Sequence, residues 1–377
     1  MVIGIDATAA VKRLGGVTEY TRQLLTHLGT IDHENKYRLV TFSLFRSHTQ
    51  PLPKLPANFK ERAVPMPGRV IDRMWRRAGI PPLELFTGRV DALYFPNIFM
   101  PYTHSPTVVT VHDLAWLLFP EIAPGGEADE FRSCLMRAVR TAKKVIAVSE
   151  ATKRDLIKVA RVPEDKIAVV YEGYDETLRR KPSPEKLDGF RQRHGLGTDP
   201  YFLHVGTIEP RKNLVRLISA FDTFKSESKL PHRLVLLGRF GWKDEAIRAA
   251  IDQSAYKDAI HTPGPLSDAD RRFAYWAADA VVFPSLYEGF GIPVLEGQAA
   301  EKPILTGDGG SLPEVTGASA LVVDVKNEEA IADGLNQLAT DTKLRHDLVR
   351  KGLTNIKRFS WEKMAQETKT LFEEVGQ

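Results

Sequence analysis

The sequence predicts an α/β protein of two domains, each built on a parallel sheet covered by helices. Three observations support this. The chain of 377 residues is long enough for two domains of roughly 150 residues. Short runs rich in Val and Ile alternate with segments of helical spacing. This alternation restarts after Tyr174. Folds of this kind bind ligands at the carboxyl ends of their strands, so we expect a functional cleft between the two sheets.

The alternation assigns each element in order. In the first domain, residues 1–174, the predicted strands are Val2–Asp6, Tyr37–Thr41, Ala92–Phe95, Val108–Val111 and Val145–Val148, and the predicted helices are Val17–Leu28, Glu127–Thr141 and Ser149–Val159. In the second domain, residues 175–360, the predicted strands are Tyr201–Val205, Leu234–Leu237, Ala280–Phe283, Ile304–Thr306 and Leu321–Val323. The polar stretch 182–200, which begins with Pro182, predicts a linker.

Composition excludes several classes of protein. Hydrophobic residues make up 43% and charged residues 27% of the chain, which is typical of a globular protein and not of a disordered one. The single cysteine, Cys134, excludes an internal disulfide and favours a reducing, cytoplasmic location. The net charge of +4 is too small for a dedicated nucleic-acid binder, and no apolar run predicts a membrane span.

The segment around Gly289 carries the strongest local signal. It follows a predicted strand, turns through Gly289 and Gly291, and begins a helix near Pro293. The amides of Phe290, Gly291 and Ile292 therefore lie at a helix N-terminus, which attracts anions. Glu288 in the loop and Glu296 in the helix can hold separate hydroxyl groups of one ligand. The alternative is a helix that carries Glu near its start only because the helix dipole favours it.

Arg211 and Lys212 form a second signal. They follow the strand Tyr201–Val205 through a turn at Gly206, and Asn213 is expected to cap the next helix. Two cations near a helix N-terminus oppose the helix dipole, so a ligand such as a diphosphate is a better explanation than a solvated pair. Both explanations remain open at this point.

Two weaker motifs lie in the first domain. Gly15 and Gly16, in the run Arg13-Leu14-Gly15-Gly16, would let the backbone approach a ligand closely or would simply form a tight turn. His112 follows the strand Val108–Val111 and is expected at the carboxyl edge of the sheet, although a single His is more often structural.

The pair Asp268 and Asp270 could suggest a metal site. It follows Ser267, however, and is better explained as a capped helix start with acidic residues in its first turn. We therefore assign no metal.

Together these residues resemble the retaining glycosyltransferases of the large GT-B family, which includes sucrose synthase and many bacterial mannosyltransferases. The most specific element is Glu288 and Glu296, separated by seven residues around Gly-Phe-Gly. The supporting elements are Glu209-Pro210-Arg211-Lys212-Asn213, His112-Asp113, Gly15-Gly16 and Val148-Ser149. The resemblance spans essentially the whole chain. It implies two Rossmann-like domains facing each other across a cleft, an N-terminal one for the acceptor and a C-terminal one for the nucleotide-sugar, with the last helix, 361–377, crossing back onto the first.

The resemblance also implies roles for individual residues. Arg211, Lys212 and the backbone at Gly15 and Gly16 would bind the donor diphosphate. The catalytic residues would be His112, near the anomeric carbon, and Glu288, which would contact the transferred hexose together with the amides of Phe290, Gly291 and Ile292. Glu296 would hold the ribose. The chain departs from many members at Thr207, where they carry arginine, so Arg211 and Lys212 remain as the evident phosphate cations.

The implied reaction is transfer of a hexose with retention of configuration, without metal or other cofactor. The motifs look like those of bacterial mannosyltransferases of polysaccharide assembly, which favours GDP-mannose as donor and a saccharide or a polyprenyl-diphosphate-linked saccharide as acceptor. The alternatives are a UDP-sugar donor, a sugar-nucleotide epimerase, or a non-catalytic nucleotide-sugar binder on the same fold.

Residues 69–80 predict a basic amphipathic helix within a segment, 54–77, that has seven basic and two acidic residues. One arc of the helix is apolar, and the other is mainly basic. Either the apolar arc packs on its own domain, or the helix contacts the inner face of the plasma membrane peripherally. The residues of that predicted contact are Arg69, Arg73, Trp75, Arg76 and Arg77.

Overall fold

The structure is a computed structural model that describes residues 1–12, 15–44, 49–124 and 127–377. Arg13 and Leu14, part of the glycine motif, lie outside the described residues. The chain divides into two compact units. Unit 1 comprises residues 1–173 and 359–377, and unit 2 comprises residues 174–358.

Unit 1 is built on a parallel sheet of seven strands. In chain order they are β1 (Val2–Asp6), β2 (Lys36–Phe42), β3 (Phe59–Val64), β4 (Ala92–Phe95), β5 (Thr107–Val111), β6 (Lys144–Ala147) and β7 (Ile167–Val169). Their spatial order is β3-β2-β1-β4-β5-β6-β7. The central strands β4 and β5 are buried along their whole length, as expected for a parallel sheet covered on both faces. The sequence missed β3 and β7, because β3 is mostly exposed and polar and β7 has only three residues.

Helices cover this sheet. They are α1 (Gly16–Ile31), α2 (Gly68–Ala78), α3 (Glu84–Thr87), α4 (Ala115–Leu118), α5 (Glu127–Thr141), α6 (Glu150–Ala160) and α15 (Trp361–Gly376). The C-terminal helix α15 belongs to unit 1, where the ring of Phe372 packs against Tyr94 of β4 at 5.1 Å between ring centroids. Gly173 brings the chain against the start of α15, because a Cβ at this residue would lie 2.3 Å from the backbone nitrogen of Trp361.

Unit 2 has a second parallel sheet, of six strands. They are β8 (Tyr201–Val205), β9 (Arg233–Leu237), β10 (Ile260–His261), β11 (Ala280–Phe283), β12 (Ile304–Thr306) and β13 (Leu321–Val322), in the spatial order β10-β9-β8-β11-β12-β13. The helices are α7 (Pro184–Arg193), α8 (Leu214–Ser228), α9 (Glu245–Gln253), α10 (Asp268–Ala277), α11 (Ile292–Ala299), α12 (Leu312–Thr316), α13 (Glu328–Thr340) and α14 (Thr342–Asn355). Because β8 and β11 are neighbours, the loops that follow them meet at the carboxyl edge.

The predicted linker 182–200 is wrong. Residues Pro184–Arg193 form α7, with proline in the first turn, where its missing N–H costs nothing. Phe190 is buried and its ring lies 6.3 Å from that of Phe273 in α10. A helix with a single fully buried side chain resembles a polar linker in sequence, and its packing becomes visible only in the fold.

The amphipathic helix predicted at 69–80 is present as α2, but its apolar arc is divided between core and surface. Ile71 and Trp75 are buried, and the Trp75 ring packs edge-on against Phe42 and Phe95. Val70 and Met74 are exposed. The predicted membrane contact through Trp75 is therefore wrong, because this side chain belongs to the core of unit 1. No helix in the described part of the chain has the length and apolarity needed to cross a membrane.

Candidate active site

Two loops meet at the carboxyl edge of the unit 2 sheet. The first follows β8 and contains the single 3-10 turn Pro210–Lys212, and the second joins β11 to α11. The amide of Leu286 in the second loop donates to the carbonyl of Arg211 in the first at 2.9 Å. This bond fixes the loop that carries the cations to the loop that carries Glu288.

Arg211, Lys212 and Glu288 form a buried ionic cluster at this edge. Arg211 Nη1 lies 2.6 Å from Glu288 Oε2, and Lys212 Nζ lies 2.6 Å from Glu288 Oε1. Arg211 also pairs with Glu209 at 3.0 Å. Arg211 and Lys212 follow β8, as the sequence predicted. Their pairing with Glu288 and Glu209 was not predicted. A bound diphosphate would share these cations with the carboxylates.

The cluster fixes the charge of Glu288. Burial alone would raise the pKa of Glu288, but the charges of Arg211 and Lys212 lower it to about 2. Burial and the neighbouring Arg211 lower the pKa of Lys212. At neutral pH Glu288 is a carboxylate and accepts hydrogen bonds, so it is suited to hold hydroxyl groups and not to act as an acid.

The backbone of the Glu288 loop is held by the residues after β12. Glu288 and Gly310 form a parallel bridge, and the Ser311 hydroxyl donates to the carbonyl of Phe290 at 2.6 Å. Gly310 has a φ of +65°, and a Cβ there would lie 2.2 Å from the carbonyl oxygen of Glu288. Only glycine fits this position, so the loop that presents Glu288 depends on it.

Helix α11 begins at Ile292, directly after Gly291, and has Pro293 in its first turn, as predicted. Gly291 is the N-cap residue and has no side chain with which to cap the helix. The first turn of α11 therefore presents backbone amides, including those of Gly291 and Ile292, at a positive helix end. Asn213, in contrast, is not the expected helix cap. It has a φ of +60° and no side-chain cap bond, and its amide donates to the carbonyl of Val325 at 2.7 Å.

Glu296 is buried in the second turn of α11 and contacts the guanidinium of Arg271 from α10. The charge of Glu296 raises the pKa of Arg271. The pKa of Tyr275 is raised mainly by burial and, to a smaller extent, by Glu296. Sequence reasoning missed Arg271, because nothing near it in the chain indicates that α10 lies beside α11. Ser267 caps α10 as predicted, by accepting from the amide of Asp270 at 3.2 Å.

In unit 1, His112 follows β5 and is held through both ring nitrogens. Nδ1 lies 3.1 Å from Glu172 Oε1, and Nε2 lies 2.8 Å from the carbonyl oxygen of Pro96. The ring of Tyr20 packs edge-on at 4.8 Å. Although burial lowers the pKa of His112, its interaction with Glu172 raises it overall above the usual value. A ligand that bonds to the ring would have to displace one of these two partners.

Sequence reasoning also missed Glu172. It follows β7, which was not predicted, so the chain gave no reason to place residue 172 beside residue 112.

The two glycines of the motif in the first domain, Gly15 and Gly16, lie at the start of a helix. Gly16 begins α1 and Gly15 has a φ of +141°. Among the residues that the structure describes, a Cβ at Gly16 would meet no atom within 4 Å.

Two parallel helix-covered sheets, with cations and glutamates at a carboxyl edge, are the features expected of a GT-B glycosyltransferase. Family models agree: "Glycosyl transferases group 1" matches residues 188–354, and "Glycosyltransferase Family 4" matches residues 14–178. The chain belongs to the group 1 glycosyltransferase family.

The relatives and solved structures are consistent with this assignment. The chain is 30% identical to O-antigen chain mannosyltransferase B of Escherichia coli over 74% of this chain and 73% of that protein. Sucrose-phosphate synthase of Thermosynechococcus elongatus has the same fold, with a TM-score of 0.76, 18% identity and coverage of 99% and 98%. HepE of Anabaena, solved with UDP and glucose, has a TM-score of 0.74 and 18% sequence identity, and the match covers 99% of both chains. The predicted two-domain GT-B fold is confirmed.

Proposed function

We propose that this glycosyltransferase moves mannose from GDP-mannose, with retention of configuration and without a metal ion, to a saccharide or polyprenyl-diphosphate-linked saccharide in cell-surface polysaccharide synthesis. The mannosyltransferase of Escherichia coli, to which the chain is 30% identical, supports the choice of sugar. The feature on which the proposal depends most is the buried cluster of Arg211, Lys212 and Glu288.

The cations of this cluster would stabilise the leaving group. As the bond between the anomeric carbon and the diphosphate oxygen breaks, negative charge grows on the diphosphate, and preorganised cations stabilise it in place of a metal. The amides of Phe290, Gly291 and Ile292 would add hydrogen bonds at the start of α11. Gly15 and Gly16 are further proposed donor-binding residues, because a glycine backbone can approach a ligand closely.

Glu288 and Glu296 would hold two different parts of the donor. Glu288 is ionised, so it would accept hydrogen bonds from hydroxyl groups of the hexose. Glu296, held by Arg271, would accept those of the ribose. Since the Glu288 carboxylate is already bound by Arg211 and Lys212, we assign it to binding and orientation and not to attack on the sugar.

The proposed chemistry is a displacement on one face of the sugar. The acceptor hydroxyl forms the new bond to the anomeric carbon, the bond to the diphosphate breaks, and the hydroxyl proton passes to the departing phosphate. We propose that His112 lies near the anomeric carbon and does not act as a base, because its ring nitrogens are engaged by Glu172 and Pro96.

A second candidate donor is a UDP-sugar, which the UDP and glucose complex of HepE favours. A panel of GDP-, UDP- and ADP-sugars distinguishes these donors by the diphosphate released with acceptor present. The proposal predicts release from GDP-mannose above all others. Turnover of donor without acceptor, to an epimerised sugar, would indicate an epimerase, and binding without turnover would indicate a sensor.

We also propose that this protein is cytoplasmic and that it binds the inner face of the plasma membrane peripherally through α2. Arg69, Arg73 and Arg77 are exposed on this helix beside Val70 and Met74, a combination that favours anionic lipid surfaces. Arg76 is less available than predicted, because it pairs with Asp72 and Glu130 and lies over the ring of Phe99. Such a contact would bring unit 1 close to a lipid-linked acceptor.

A further inference from the structure

Glu172 is a buried carboxylate for which the reaction proposed above has no direct use. Its side chain faces the ring of His112, on the strand edge where β5 and β7 end. We propose that Glu172 is a positioning residue that keeps His112 protonated on both ring nitrogens, and that this double protonation holds the ring between the carboxylate of Glu172 and the carbonyl of Pro96. The part of this inference that concerns turnover rests on the proposed function, whereas the protonation state does not.

The argument begins with the partner of Nε2. A carbonyl oxygen has lone pairs and no proton, so it can only accept a hydrogen bond. The 2.8 Å contact between Nε2 and the carbonyl of Pro96 therefore requires a proton on Nε2. If His112 were neutral, its other nitrogen would carry only a lone pair.

The partner of Nδ1 is the carboxylate of Glu172, at 3.1 Å. An ionised carboxylate also only accepts, so Nδ1 must carry a proton as well. Two acceptors on the two nitrogens of one ring define an imidazolium. In the alternative arrangement a protonated Glu172 donates to a neutral His112. The NMR experiment below distinguishes the two, because a neutral ring has one nitrogen without a proton.

The other groups around the ring agree with a cation. Asp113, the next residue, adds a second negative charge that favours the protonated ring. From α1, the ring of Tyr20 presents its edge, while its hydroxyl is engaged with Thr110 and Tyr94. Within the described ranges 1–12, 15–44, 49–124 and 127–377, the charged side chains that act on His112 are Glu172 and Asp113, both negative.

Deprotonation would change the geometry as well as the charge. With Glu172 ionised, a neutral ring would turn one lone pair toward an oxygen atom, and this repulsion would release the ring from Pro96 or from Glu172. A cavity of about 110 Å³ lies beside His112, lined also by Asn97, Thr110 and Phe131. The shape of this cavity depends on where the ring is held.

Nitrogen-15 NMR of histidine-labelled, ligand-free, full-length protein tests the inference. His112 is assigned from the signal lost in His112→Gln. In the wild type at pH 7 we expect both ring nitrogens at imidazolium shifts. In Glu172→Gln we expect a lower pKa of His112 and, at pH 7, one ring nitrogen without a proton. In Glu172→Asp, which keeps the negative charge, we expect a pKa of His112 between those of the wild type and Glu172→Gln. The matched control is Glu164→Gln, an exposed glutamate of unit 1 paired with Lys153.

A neutral His112 in the wild type at pH 7 would overturn the inference, and this measurement does not depend on any variant folding. An unchanged pKa of His112 in Glu172→Gln would overturn it as well. With the cognate donor, the alkaline limb of kcat should move to lower pH in Glu172→Gln, with a smaller change in KM. If no donor is turned over, the proposed function fails, while the NMR result still decides the role of Glu172.

Discussion

The carboxylate of Glu288 lies 2.6 Å from the ammonium nitrogen of Lys212, and both side chains are buried at the carboxyl edge of the unit 2 sheet. Glu288 therefore pairs with the same cation that we propose binds the donor diphosphate. We therefore expect the loss of Lys212 to affect both stability and donor binding, with Arg211 still paired with Glu288.

We predict that Lys212→Met lowers both stability and donor affinity. The loss of one partner of a buried charge should reduce the free energy of unfolding by about 2 kcal/mol, since Arg211 still compensates Glu288. The affinity for the nucleoside diphosphate should fall about 10- to 100-fold, and that for the nucleoside much less. Urea unfolding and calorimetry measure the two effects.

The control for this variant is Lys326→Met, which removes an exposed lysine of the same unit. Arg211→Ala should weaken diphosphate binding in the same way as Lys212→Met. Equal diphosphate affinities of the wild type and both variants would show that these cations do not bind the donor.

Stability should depend on pH through Glu288. Its folded-state pKa of about 2 lies below the value of about 4.3 expected in the unfolded chain. The unfolded state therefore takes up the proton first as the pH falls. The stabilisation is fully present above about pH 4.3 and is lost as the pH falls through about 2.

The comparison that isolates this effect is urea unfolding of the wild type and of Glu288→Gln from pH 6 to pH 2. The difference in unfolding free energy should shrink toward low pH. A difference that stays constant across this range would mean that Glu288 is not held as an ion by Arg211 and Lys212.

We predict that His112→Ala folds, binds the nucleoside diphosphate normally and loses turnover by on the order of 100-fold or more, because its contribution would grow in the transition state. Melting temperature, calorimetry and steady-state kinetics measure the three properties. Wild-type turnover, or a variant that simply unfolds, would assign His112 to folding.

Membrane binding should depend on the exposed arginines of α2. Reversing Arg69, Arg73 and Arg77 to Glu should abolish salt-sensitive co-sedimentation with vesicles that contain anionic lipid. The charge-matched control reverses Lys36, Arg154 and Lys158, which are exposed elsewhere on unit 1. If the two triple variants sediment alike, the basic arc of α2 is not the contact.

Local patterns in the sequence predicted the central strands, the start of α11 at the glycine turn and the cap of Ser267. They also placed Arg211, Lys212 and Glu288 after the carboxyl ends of their strands, but that these two strands are neighbours emerged only from the structure. The pairing of these charges could not be predicted, since it depends on which side chains point toward each other across two loops.

The contacts that were missed are long-range. Glu172 meets His112 only because β5, β6 and β7 lie in that order, and Arg271 meets Glu296 only because α10 lies beside α11. Trp75 illustrates a further limit. Helical periodicity assigned it to an apolar arc, but periodicity does not say which part of an arc packs on the domain and which part stays exposed.

The most direct test of the proposed function is the release of nucleoside diphosphate from GDP-mannose with a saccharide acceptor, with the anomeric configuration of the product read by NMR. The proposal predicts acceptor-dependent release of GDP and a product of retained configuration, both greatly reduced in Lys212→Met while Lys326→Met behaves as wild type. Undiminished transfer by Lys212→Met, or a product of inverted configuration, would contradict it.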